Sequence, residues 1–204
     1  FGMKRITIIC TGYVGLVSGA GISDFGHQVR CVDLDKQKID VLNDGSIPIY
    51  EPGLKSLVAR SVYAKRLTFS VAVDDAIKWA EVIFIAVGTP QGENGEADIS
   101  AVIAVAEQIG INLNNYKVIS TKSTVPIGTG KMIQKIIDQH NHDNIEYDYC
   151  SNPEFLREGA AVRDFLHPDR IVLGATSDKA FEYLKDVFRP LYINETPIVH
   201  TTVE

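Results

Sequence analysis

Apolar positions along this chain fall into short runs rich in β-branched residues, separated by segments of helical period. The runs at 6–9, 28–33, 67–70, 81–87, 117–121, 147–151, 171–174 and 198–201 read as strands. Between them, 17–25, 36–43, 54–61, 76–80, 99–110, 130–140 and 177–188 read as helices. Gly26 and Gly45 close the first two helices. Asp35 and Ser177 cap the helices they precede, Asp74 or Asp75 caps 76–80, and Asp98 caps 99–110. The segment 164–170 reads as a loop. Residues 81–87 are apolar almost throughout, as a strand covered on both faces of a parallel sheet must be. Strands alternating with helices in this way predict an α/β chain with a doubly wound, mostly parallel sheet.

The stretch from Ile6 to Leu16 is a buried strand, a tight turn and the first turn of a helix. Gly12 and Gly15, with Tyr13 and Val14 between them, are spaced like the second and third glycines of a dinucleotide fingerprint. Gly12 would let the backbone approach a pyrophosphate, and Gly15 would let the helix pack on the strand. The helix would aim free N–H groups and its positive dipole end at the phosphates. Cys10 stands where the first glycine belongs, and if that position needs positive φ its Cβ costs roughly 1 kcal/mol. Asp33 ends the second strand 18 residues beyond Gly15, where such Rossmann-like folds place the carboxylate that accepts from a ribose hydroxyl. A carboxylate there repels a 2′-phosphate and so favours NAD over NADP. A helix cap is the other use for Asp33, but Asp35 fits that job better.

The remaining polar clusters also follow the carboxyl ends of strands. Thr89 begins a long polar loop, and Thr124 lies in Lys122-Ser123-Thr124-Val125-Pro126-Ile127-Gly128. The sixth strand runs into Asn152-Pro153-Glu154-Phe155-Leu156-Arg157-Glu158-Gly159. Glu154 and Glu158 would share a face if that segment were helical. Two carboxylates flanking an arginine at a ligand edge suggest proton transfer or hydroxyl recognition; a solvated acidic turn is the plainer reading of the same residues. Gly12, Asp33, Thr89, Thr124 and Glu154 are thus expected along one edge of one sheet.

The 204 residues suffice for one domain with a sizeable core. A net charge of −6 without any Lys/Arg stripe argues against a nucleic-acid partner. No apolar stretch approaches a membrane span, and the start carries no signal-peptide pattern. Phe1-Gly2 ahead of Met3 reads as a cloning scar. Cys10, Cys31 and Cys150 have no metal-ligand spacing, so no metal is expected and the thiols suit a reducing cytoplasm. Cys10 is the one to watch, because a helix N-terminus could lower its pKa and make it oxidisable.

Taken together, Gly12-Tyr13-Val14-Gly15-Leu16, Val32-Asp33-Leu34-Asp35, Val87-Gly88-Thr89-Pro90, Lys122 to Gly128 and Asn152 to Gly159 resemble the UDP-glucose/GDP-mannose dehydrogenase family. The resemblance covers essentially residues 3–204. It implies oxidation of the C6 alcohol of a nucleotide sugar to a carboxylate with two NAD and one water. UDP-glucose is the implied substrate, modestly favoured by Leu156-Arg157; GDP-mannose or UDP-N-acetyl-mannosamine is the alternative, and a non-catalytic NAD-binding or redox-sensing module is a third reading. By resemblance, Gly12, Tyr13, Val14, Gly15, Asp33, Lys38 and Thr89 would contact NAD. Thr124 would sit near the nicotinamide and help hold a water, and Glu154 would serve acid/base chemistry. Glu154, Phe155, Leu156, Arg157 and Glu158 would line the sugar pocket, with Glu158 also close to the nicotinamide. The family's nucleophile is a cysteine in a Gly-Phe-Gly-Gly-type stretch, which this sequence lacks. The lysine-bearing central helix, through which the family largely dimerises, and the second nucleotide-binding domain are not recognisable either. The chain therefore looks like an amino-terminal half, inactive alone.

Overall fold

A computed structural model describes residues 2–93, 95–194 and 196–203. The chain begins β1 (Arg5–Ile9), α1 (Tyr13–Asp24), β2 (Gln28–Val32), α2 (Lys36–Asn43), α3 (Leu54–Tyr63), β3 (Leu67–Ser70), α4 (Val73–Trp79) and β4 (Val82–Ile85). It continues through α5 (Ser100–Asn112), β5 (Lys117–Thr121), α6 (Thr129–His140) and β6 (Tyr147–Ser151). The last elements are α7 (Ala161–Leu166), β7 (Ile171–Ala175), α8 (Asp178–Val187), α9 (Arg189–Ile193) and β8 (Ile198–Thr201).

The described residues form one sheet in the order β3-β2-β1-β4-β5-β6-β7-β8. β1 to β6 are parallel, β7 turns antiparallel to β6, and β8 runs parallel to β7. The sheet is doubly wound and mostly parallel, as expected. The strands alternate their side chains between two apolar layers. Ile6, Ile8, Cys31, Phe84 and Val118 pack with α1, α3, α7 and α8. Ile9, Val32, Ile83, Ile85 and Ile119 pack with α4, α5 and α6. β4 is buried throughout, which accounts for its unbroken apolar sequence. Thr7 faces α4 with a hydroxyl, and donates it to the Ala76 carbonyl at 2.9 Å.

Asp35 and Ser177 cap α2 and α8 by accepting from Lys38 and Ala180 N–H groups. Other expectations are corrected. Asp74 and Asp75 lie inside the first turn of α4, whose cap is Ala72. Ile99, not Asp98, occupies the cap of α5, although Asp98 still accepts from the Ser100 N–H at 2.9 Å. Residues 164–166 belong to α7 rather than to a loop, because Ala161 and Phe165 bury against the α1 side of the sheet. Glu154 and Glu158 share no helix face, since the chain from 152 to 157 is irregular.

Because β1, β2, β4, β5 and β6 are parallel neighbours, their carboxyl ends share one edge. The order of the strands reverses between β1 and β4, β2 and β3 lying to one side and β5 and β6 to the other, and such a switch point is where open α/β sheets bind ligands.

Candidate functional site

The site starts at the β1–α1 turn. Cys10 holds φ at +84°, the left-handed region that favours glycine. Two contacts keep it there. Its N–H donates to the Val32 carbonyl at 2.8 Å, and its own carbonyl lies 1.9 Å from where a Cβ on Gly15 would stand. Helix and strand therefore meet backbone to backbone at Gly15. Gly12 caps α1 without any side-chain hydrogen bond, so the N–H groups of the first turn, Tyr13 to Gly15, are open to an acceptor. A Cβ on Gly12 would meet only the Cys10 sulfur at 3.7 Å, so this position faces open space. Burial raises the Cys10 thiol above its usual range, and the Asp33 charge adds to that against the Gly12 N–H. The expected lowering of its pKa is thereby corrected: desolvation outweighs the helix end.

Asp33 stands beside this turn. Its Oδ2 accepts from the Thr11 N–H and the Thr11 hydroxyl, both at 2.9 Å, and pairs with Lys38 Nζ at 3.2 Å. Its Oδ1 accepts from the Asp35 N–H at 3.0 Å. Burial opposes ionisation here, but the Asp35 and Thr11 donors and Lys38 outweigh it and hold the carboxyl below its usual range. Lys38 thus reaches the site by steadying Asp33.

On the other side of β1, the loops after β4 and β5 are tied together. Thr89 donates its hydroxyl to the Thr124 carbonyl at 2.9 Å, and Ser123 donates to the Val87 carbonyl at 2.6 Å. After β6, Glu154 Oε2 accepts from the Leu156 N–H at 2.6 Å, folding residues 154–156 into a turn. Arg157 does not bridge the two glutamates. It grips Asp164 through its guanidinium at 2.7 and 3.0 Å, which holds that carboxyl down to about 2. Glu158 and Phe155 are exposed.

Sequence reasoning missed two carboxylate arrangements. Glu51, buried in a two-proline loop, accepts from the Gly159 and Ala161 N–H groups at 3.0 and 2.7 Å and so anchors the end of the 154–158 run. Its only sequence signal is an isolated acid between turn residues. Thr11 fixes Asp33, and its signal is a hydroxyl inside the glycine motif. Beside Glu51, the Tyr13 hydroxyl is buried with no close hydrogen bond among the described residues. Burial first, then the charge of the Glu51 carboxylate and hydrogen bonding toward it, and after these the charges of Glu158 and Glu154, push it up to about 12.

A cavity of about 690 Å³ opens behind the β6 loop, lined by Glu154 to Arg157 on one wall and by Lys122, Asn152, Phe165 and Phe188 deeper in. Of the residues expected around a sugar, Glu154, Phe155, Leu156 and Arg157 line this cavity, and Glu158 is not among its lining residues. No group of three or more metal-ligating side chains occurs among the described residues.

Residues 4–192 match the model of the UDP-glucose/GDP-mannose dehydrogenase family, NAD binding domain. The chain belongs to this family. The UDP-glucose 6-dehydrogenase of Rhizobium meliloti is 50% identical over 201 residues, covering 97% of this chain and 46% of the relative. UDP-glucose 6-dehydrogenase TuaD of Bacillus subtilis is 47% identical over 202 residues, covering 99% of this chain and 43% of the relative. Among solved structures, a UDP-glucose dehydrogenase from Pyrobaculum islandicum superimposes with a TM-score of 0.94 at 33% identity, covering 99% of this chain and 47% of that one. The chain therefore spans less than half the length of these relatives. It carries the family's NAD-binding domain, and the site fits the cofactor: an uncapped helix end and an ionised Asp33 stand side by side at the β1–α1 turn. No helix of the described residues is long and apolar enough to cross a membrane.

Proposed function

We propose that this chain is the cofactor-binding part of an enzyme that oxidises UDP-glucose to UDP-glucuronate in two successive hydride transfers. Bound NAD would supply the hydride acceptor. The chain's own residues do the rest of the work at this edge. The first-turn N–H groups from Tyr13 to Gly15, approached past Gly12, take the pyrophosphate. Asp33, steadied by Thr11 and Lys38, accepts from the adenosine ribose and repels a 2′-phosphate. Thr89 and Thr124, already joined, flank the nicotinamide, and Thr124 helps hold a water. Glu154 accepts the hydroxyl proton, directly or through that water, since hydride can leave the C6 carbon only as its hydroxyl proton is taken. Phe155, Leu156 and Arg157 border the sugar, and Glu158 reaches toward the nicotinamide.

The observation that carries this reading is the wiring of Asp33. A carboxylate supplied with four donors and kept ionised beside an open helix N-terminus suits a dinucleotide with a free ribose hydroxyl. The relatives' activity on UDP-glucose supports the substrate. The sequence lacks the Gly-Phe-Gly-Gly-type stretch that carries the nucleophilic cysteine, so this chain alone is expected to bind NADH without oxidising UDP-glucose. The test is a fluorescence titration with NADH and NADPH. NADH should bind at least about tenfold more tightly, a difference of about 1.4 kcal/mol, and Asp33→Ala should narrow the gap. Equal affinity for the two, no binding of either, or turnover of UDP-glucose by this chain would overturn the proposal.

A further inference from the structure

Two lysines at the ends of β5 are buried, and they differ in one respect. Lys117, at the amino end, spends all three N–H donors, on the carbonyls of Lys78 at 3.1 Å and Ala80 at 2.6 Å and on Asn115 Oδ1 at 2.8 Å. Lys122, just past the carboxyl end, is only 2% exposed, and among the described residues its ammonium makes one hydrogen bond, to Asn152 Oδ1 at 2.7 Å. The rings of Phe84, Phe188 and Phe165 lie 5.3, 5.5 and 5.8 Å from its Nζ. Ring faces attract a cation but leave its remaining donors unspent. Lys122 forms no ion pair among the described residues. A buried cation so lightly satisfied is costly unless a ligand completes it.

The surroundings indicate which ligand. Lys122, Asn152, Phe165 and Phe188 line the same cavity whose wall is Glu154 to Arg157. Asn152 is itself fixed, by its N–H to the Thr121 carbonyl at 2.9 Å and by its side-chain amide to the Val172 carbonyl at 3.0 Å. The ammonium is therefore held at the floor of the cavity rather than free to swing out. Of the other charged liners, Arg157 and Asp164 neutralise each other, while Arg163, His167, Asp169 and Arg170 are exposed at the rim.

We infer that Lys122 is an oxyanion-binding residue of this cavity, and that its ligand is the carboxylate of a sugar acid. The inference rests on the dehydrogenase reading. Oxidation there converts a neutral alcohol into an anion in a pocket that already carries Glu154, and two carboxylates alone would repel. A buried ammonium offsets that repulsion and forms charge-assisted bonds to the acid that the parent alcohol cannot match. Burial brings the Lys122 amine down to about 8, with the Glu154 charge opposing.

The probe is free glucuronate, with glucose as its neutral counterpart, titrated into the 204-residue chain carrying isotope-labelled lysine. Glucuronate should shift the Lys122 side-chain NMR signal and move its titration midpoint upward, and glucose at equal concentration should not. Lys122→Gln should weaken glucuronate roughly tenfold. Lys122→Met, apolar and similar in volume, is the second variant should the first fail to fold, and His167→Gln should leave the response intact. Glucuronate acting no differently from glucose, or binding a folded Lys122 variant as tightly as the parent, would overturn the inference. NADH titration of the same samples separates the two ideas. A chain that binds NADH and ignores glucuronate loses this inference alone, whereas one that ignores NADH loses the reading beneath it.

Discussion

Cys10 offers a quantitative check on the β1–α1 turn. A side chain at φ +84° brings its Cβ against the following carbonyl, a cost of about 1–2 kcal/mol. The chain has no easy way to relieve it. Rotating Cys10 to negative φ would move a carbonyl that lies 1.9 Å from the ideal Cβ position of Gly15 and break the 2.8 Å bond to Val32, so the helix–strand contact would come apart. Cys10→Gly removes the Cβ but adds freedom to the unfolded chain, worth about 0.4–1 kcal/mol. Cys10→Ala is the control, because it loses the same sulfur and keeps the Cβ. The glycine variant should therefore be more stable than the alanine variant by about 0.5–1 kcal/mol, or about 1–4 °C in Tm for a chain of this size. Urea and thermal unfolding under reducing conditions would measure it, with equal m-values expected. An alanine variant as stable as the glycine variant would refute the strain argument, and with it the claim that helix packing locks the turn.

Two further outcomes follow from buried groups near the site and far from it. Tyr13→Phe removes a buried hydroxyl that makes no close hydrogen bond among the described residues, beside the Glu51 carboxylate, and should raise stability by about 1 kcal/mol in urea unfolding without ligand; a loss of stability would mean the hydroxyl is bonded to Glu51. Burial lowers the His27 imidazole below 6.5, while its Nδ1 accepts from the Lys4 N–H at 3.0 Å. The unfolded chain then binds more protons between that lowered value and 6.5, so His27 takes stability away as pH falls through this window. His27→Asn, which can still accept from Lys4, should flatten the slope of Tm against pH there, and an unchanged slope would count against the assignment.

Much of this was legible in the sequence for physical reasons that can be named. The buried run of β4 and the glycine spacing of the β1–α1 turn are strong local signals, because each is imposed by contacts that tolerate few residues. Asp33 and Asp35 were separable because only one could cap α2. What could not be read were contacts made across the fold. Glu51 finds its donors more than a hundred residues away, at Gly159 and Ala161, and no local pattern announces that. Cys10 was misjudged for the same reason: the helix end was visible in the sequence, but the burial that outweighs it was not. α7 was missed because six residues ending before a His-Pro turn carry too little periodicity, although Phe165 stacks on Phe25 from α1 once the fold is complete.

The edge of the sheet is more than a row of separate loops. Thr11 ties the first loop to the second through Asp33, Thr89 ties the fourth strand's loop to the fifth's, and Lys122 ties the fifth's to the sixth's through Asn152. Each tie spends a polar side chain on a neighbouring loop, which fixes the tips before any ligand arrives and lowers the ordering cost of binding. Among the described residues, and apart from the buried hydroxyls of Ser18, Ser61 and Ser120, the groups left without a hydrogen bond include the first-turn N–H groups of α1, the Tyr13 hydroxyl and the remaining donors of Lys122. The first lie at the β1–α1 turn, the Tyr13 hydroxyl faces Glu51, Glu154 and Glu158, and the Lys122 donors lie in the cavity behind Glu154. Unspent donors at both ends of one otherwise completed network are what a site for an anionic cofactor and an acidic product would require. They also make the two halves separately testable, because the first should respond to NADH and the second to a sugar carboxylate.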